Sequence, residues 1–132
     1  MYKHIYYGIK NLFQYLPIIW NDRDWDHYYL LHLLEYKLKR MSEYHIKHGI
    51  TANKAQTARQ LKICQLLCKR IKEDDYIQTI DIPQEWFGYF PQLTDTQKKT
   101  ITIRWDKAIR QQQADIRYLT RSINKHLLSW WD

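Results

Sequence analysis

Apolar residues recur along this chain at spacings of three and four, the period of an amphipathic helix, and breakers separate the runs. Ile5, Ile9, Leu12, Phe13 and Leu16 make the first run, over His4 to Leu16. Pro17 should end it, because proline disfavours helical geometry in the residue before it. The expectation is a short packing helix.

A second helix is expected from Asp22 to His48, with Leu31, Leu34, Leu38 and Met41 as its seam and Gly49 as its stop. Asn21 would be its N-cap, Trp20 and Trp25 would form a hydrophobic staple, and Asp22 and Asp24 would sit where the helix dipole favours anions. Thr51 can cap a third helix reaching Asp75, with Ala55, Ala58, Leu61, Cys64, Cys68 and Ile71 facing inward. The short linker makes these two helices an antiparallel hairpin.

Residues 76 to 94 interrupt the pattern with Pro83, Gly88 and Pro91 among the aromatics Trp86, Phe87, Tyr89 and Phe90. Thr94 with Gln97 is a capping-box signature. From there Ile101, Trp105, Ala108, Ile109, Ile116, Leu119, Ile123, Leu127 and Trp130 keep helical register to the end of the chain. A helix over Asp95 to Trp131 would be about 55 Å long, so it either breaks near Gln111, Gln112 and Gln113 or overhangs and needs a second subunit. The predicted fold class is all-α: a helical bundle with an antiparallel hairpin, a long C-terminal helix and a short N-terminal helix, in one domain over 1–132.

Composition agrees with this reading. Three Gly and three Pro in 132 residues are too few for a chain of many turns, and 45% hydrophobic content is enough for a core. The formal charge of +7 favours an anionic partner such as nucleic acid, a nucleotide or an acidic protein. No run approaches the roughly 18 apolar residues of a membrane span, and Lys10, Asn11 and Gln14 interrupt any signal-peptide core. A soluble cytoplasmic protein with no membrane partner is expected. Cys64 and Cys68, four apart on one helix face, are too distant for a relaxed disulfide and read as reduced core thiols.

Candidate chemistry is sparse. The acids of Trp20-Asn21-Asp22-Arg23-Asp24-Trp25-Asp26 alternate like the start of a calcium loop, but the glycine and glutamate positions of an EF-hand hold His27 and Leu33. Hairpin pairing could bring Asp22, Asp24 and Asp26 beside Glu73, Asp74 and Asp75, an acidic cluster that would suit a metal-dependent nucleotide hydrolase. The paired E-x-x-E pattern of helical pyrophosphohydrolases is absent. His32 with Cys64 and Cys68 is a weak zinc set. There is no Gly-rich phosphate loop, and no complete catalytic site is legible.

The cations are better organised. Lys107, Arg110, Arg117, Arg121 and Lys125 fall within roughly an 80° sector of the last helix, opposite its apolar stripe. Arg59, Lys62, Lys69 and Arg70 take the outer side of the third helix. Arginine binds phosphate bidentately, and rings such as Tyr118 stack on bases, so Arg59, Lys62, Arg70, Lys107, Arg110, Arg117, Arg121 and Tyr118 are the candidate ligand-binding residues. The bland alternative is a solvated charged face.

The segments W-N-D-R-D-W-D at Trp20 to Asp26, E-D-D-Y at Glu73 to Tyr76 and W-W-D at Trp130 to Asp132, with the Leu-rich helix carrying Lys37, Lys39, Arg40 and Met41, resemble a family of small tailed-phage proteins over about half the chain. The resemblance implies viral origin and expression in a bacterial cytoplasm. The combined expectation is a non-enzymatic, homo-oligomeric binder of a nucleotide-type anion that serves phage takeover or counter-defence and needs no cofactor. The alternatives are the metal-dependent hydrolase, an inhibitor of a host protein, and a sequence-tolerant nucleic-acid binder.

Overall fold

The computed structural model describes residues 2–49, 52–74, 76, 80–86 and 92–131, and every regular element among them is helical. The chain divides into two compact units, Met1–Lys72 and Glu73–Asp132. No helix among the described residues is long and apolar enough to cross a membrane.

In the first unit, helix α1 spans Tyr2–Ile19 and continues through Pro17 instead of stopping before it. Pro17 deprives the Phe13 carbonyl of its ladder donor, but Phe13 is 69% exposed, so water can take that place. The helix then closes with Trp20 N–H donating to Leu16 O at 2.9 Å. The expected packing role holds only at this end: Tyr15 meets Tyr36 edge-on at 5.1 Å and lies under the Arg40 guanidinium, while every residue from Tyr2 to Phe13 is exposed.

Helix α2 spans His27–His48 and starts later than expected. Two successive turns, Asp22 N–H to Ile19 O and Asp26 N–H to Arg23 O, occupy the acidic prefix. Asp26, in an extended conformation, accepts from Tyr28 N–H at 2.9 Å and is the N-cap in place of Asn21. Trp20 and Trp25 are both more than 70% exposed, so the staple does not form.

Helix α3 (Ala52–Glu73) returns antiparallel to α2. Of its expected inward face Ala58, Leu61, Cys64, Cys68 and Ile71 are buried, joined by Leu67 and Gln65, whereas Ala55, one turn from the start of the helix, is exposed. The pairing appears as polar rungs seven residues apart on each helix. Ser42 Oγ donates to Ala58 O at 2.9 Å, Gln65 Nε2 donates to Glu35 Oε1 at 3.4 Å, and Lys72 Nζ lies over the Tyr28 ring. Two turns of helix separate successive rungs, which is the antiparallel form of a heptad seam. Gly49 follows α2, and the expected cap Thr51 lies outside the described residues.

In the second unit Asp74 has φ 50°, a left-handed conformation just past the end of α3, and accepts from Gln112 Nε2 at 2.9 Å. A 3-10 turn covers Gln84–Trp86. Helix α4 spans Asp95–His126 with the predicted capping box: Gln97 N–H donates to Thr94 Oγ1, and the Gln97 side chain accepts from Thr94 N–H. It runs unbroken through Gln111, Gln112 and Gln113, residues with good helix propensity and no reason to stop a helix.

The buried stripe of α4 is narrower than its apolar pattern. Ile101, Ala108 and Leu119 are buried, together with Trp130 beyond the helix, whereas Trp105, Ile109, Ile116 and Leu127 are exposed. The buried sector extends instead toward Asp115, which is only 9% exposed and lies about 40° from Ile101 and Leu119 on the side away from Trp105 and Ile109.

Candidate anion-binding site

The linked end of the hairpin supplies the first concave surface. Glycine at position 49 and alanines at 55 and 58 leave space between α2 and α3, a cleft of about 420 Å³. Its apolar lining comes from those residues with Ile46 and Ile63. Its polar lining is Ser42, His45, Arg59 and Lys62, so the formal charges around it are all positive. Arg59 and Lys62 are exposed while His45 is buried, which puts the two cations at the rim. Such a volume accommodates a mononucleotide-sized molecule, with apolar contact for a base and a basic rim for phosphate.

The second unit has its own cleft, of about 450 Å³, between α4 and the segment before it. Arg104, Lys107 and Gln111 approach from α4, and Tyr76, Ile80 and Asp81 from the other side. Here the charge is mixed, since Arg104 lies 4.0 Å from the fully exposed Asp81. The Tyr76 hydroxyl donates to Asp115 Oδ2 at 2.5 Å, both residues being buried.

The candidate cations are therefore distributed. Arg59 and Lys62 share the hairpin cleft, Lys107 lines the cleft of the second unit, and Arg70 is exposed on α3. Arg110, Arg117, Tyr118 and Arg121 are exposed on α4 and line neither cleft, and Arg110 Nε donates to Asp106 O one turn back. They form a convex ridge. Sequence reading passed over His45 and Ser42, whose polar character disguises their buried seam positions, and Arg104, which stands outside the 80° sector used to define the ridge.

Among the described residues no three His, Cys, Asp or Glu side chains gather as a metal would require. Asp26 caps α2, Asp74 is engaged by Gln112, Asp22 and Asp24 are exposed, and Asp75 lies outside the described residues. The zinc set does not gather either: His32 packs against the Tyr28 ring at 5.8 Å, and Cys64 and Cys68 are buried and outside any disulfide. Burial, with help from Cys64 and the Glu35 carboxylate, pushes the Cys68 thiol up to about 12, so it is protonated and unreactive near neutrality.

No protein-family model, curated protein or solved structure matches the chain.

Proposed function

We propose that the protein binds a nucleotide-type anion in the hairpin cleft, without turning it over. The observation that carries this reading is a cleft of about 420 Å³ whose lining mixes apolar side chains with buried Ser42 and His45 and carries only basic formal charge. Arg59 and Lys62 neutralise phosphate, and Ile46, Ala55 and Ile63 contact the base. With the phage resemblance of the W-N-D-R-D-W-D and W-W-D segments, the role is to withdraw a nucleotide signal from the host. Calorimetric titration with a panel of nucleoside phosphates and cyclic dinucleotides tests it. Binding should occur to at least one, weaken more than tenfold in the Arg59→Glu/Lys62→Glu variant, and survive Arg117→Glu/Arg121→Glu. Absence of binding across the panel, or insensitivity to the first variant, refutes the assignment.

One observation favours a second reading. Lys107, Arg110, Arg117 and Arg121 occupy one sector of α4 over about 21 Å, a convex strip suited to a nucleic-acid backbone. That reading predicts affinity falling steeply with salt and lost on reversal of Arg117 and Arg121, the opposite mutational outcome.

A further inference from the structure

We infer that α1 docks onto an anionic lipid surface, lying in the interface with its apolar stripe toward the acyl chains. At 100° per residue, Leu12, Ile5, Leu16, Ile9, Tyr2, Phe13 and Tyr6 fall in that order within an arc of roughly 120°. Along most of this arc nothing covers them: Tyr2 is 90% exposed, Phe13 69%, Tyr6 62% and Leu12 58%. Their exposed area is on the order of 800 Å², given the size of aromatic and aliphatic side chains, and exceeds the largest apolar patch of an ordinary monomer. Trp20, immediately after the helix, is 73% exposed and adds an interfacial aromatic.

Charge selects among occupants. The helix holds no acid between Tyr2 and Ile19, and its two lysines, Lys3 and Lys10, lie within about 20° of each other on one flank of the stripe. The other flank carries Tyr15, which is engaged with Tyr36 of α2. In an antiparallel two-fold pair of helices each flank meets its own copy, so Lys3 and Lys10 of one chain would face the same lysines of the second with no carboxylate between them. A chain of net charge +7 adds to that repulsion. An anionic headgroup layer inverts the sign: lysine stems run along the stripe edge and their ammonium groups meet phosphates. A single convex helix, exposed along twelve consecutive residues, Tyr2 to Phe13, also matches a flat, deformable surface better than it matches a groove.

The test is co-sedimentation of the full chain with vesicles of phosphatidylcholine alone and of phosphatidylcholine mixed with phosphatidylglycerol. The protein should pellet with the mixed vesicles and at least tenfold more weakly with the neutral ones. Ile9→Glu should abolish pelleting while circular dichroism of the bundle is retained, and Lys3→Glu/Lys10→Glu should erase the preference for phosphatidylglycerol. Pelleting unaffected by Ile9→Glu overturns the proposal. So does absence of vesicle binding, whether the chain then sediments as a monomer or as a dimer that Ile9→Glu dissociates.

Discussion

Lys72 Nζ lies 2.6 Å from Glu35 Oε2, with only 9% and 14% of the two side chains exposed, and this ion pair ties the last turn of α3 to the middle of α2. Gln65 and the Tyr28 ring complete its surroundings. A buried pair is worth little against an apolar substitute, but removing one member strands the other. Lys72→Ala should therefore destabilise the hairpin by about 3–5 kcal/mol, and Glu35→Leu/Lys72→Met by much less. Urea denaturation of the two variants checks this, and equal losses would mean that packing, not charge, holds the rung.

The second unit has an analogous contact in Tyr76 and Asp115. Tyr76→Phe keeps the ring and deletes the hydroxyl that donates to Asp115. Hydrogen bonds to charged groups contribute about 1.5–3 kcal/mol, so the variant should lose a comparable amount, seen as a lowered melting temperature. Asp115 sits on the face of α4 that otherwise buries Ile101, Ala108 and Leu119, which leaves its partner little room to be replaced by water.

These two contacts mark the limit of what the sequence disclosed. Helix period revealed α2, α3 and α4, because leucines and alanines at spacings of three and four have few other ways to be buried. The capping box of α4 was legible because it uses only neighbours in sequence. The polar rungs were not, since Glu35, Gln65, Lys72 and Asp115 look like surface residues until a partner from a distant segment is placed beside them. The start of α2 misled for a related reason: Asn21 and Asp26 are both competent caps, and the turns that choose Asp26 depend on where α1 ends. The ridge residues were identifiable from helical angle alone, whereas the hairpin cleft depends on how closely α2 and α3 approach, a distance no periodicity encodes.

Cys68 yields a prediction in pH. Its native thiol is pushed up to about 12 by burial, Cys64 and Glu35, against an ordinary value of 9.0. Between these values the native state holds a proton that the unfolded chain releases. The stabilisation is thus complete below pH 9 and is lost as pH rises through the window, by at most about 1.4 kcal/mol per pH unit. The stability difference between wild type and Cys68→Ala should narrow over that range in urea denaturation. A constant difference would show that the thiol already ionises in the native state.

Gly49 and Gly8 should respond oppositely to alanine. A Cβ at Gly49 would stand 2.3 Å from the His45 carbonyl oxygen and 3.0 Å from Lys54 Cβ. The carbonyl belongs to the last turn of α2 and cannot swing aside like a side chain, so the turn must open and the rim of the hairpin cleft must move with it. Gly49→Ala should cost about 1–3 kcal/mol, within the range for overpacked sites, and should weaken any ligand held by Arg59 and Lys62. At Gly8 nothing lies within 4 Å of an added Cβ. There the substitution changes only helix propensity, and Gly8→Ala should favour α1 by about 0.5–1 kcal/mol. Helicity by circular dichroism and the urea midpoint separate the two effects: Gly8→Ala raises the first without lowering the second, and Gly49→Ala lowers the midpoint. A Gly49→Ala midpoint equal to wild type would mean that the hairpin end yields freely, and the cleft would then lack the fixed shape that recognition of a nucleotide needs.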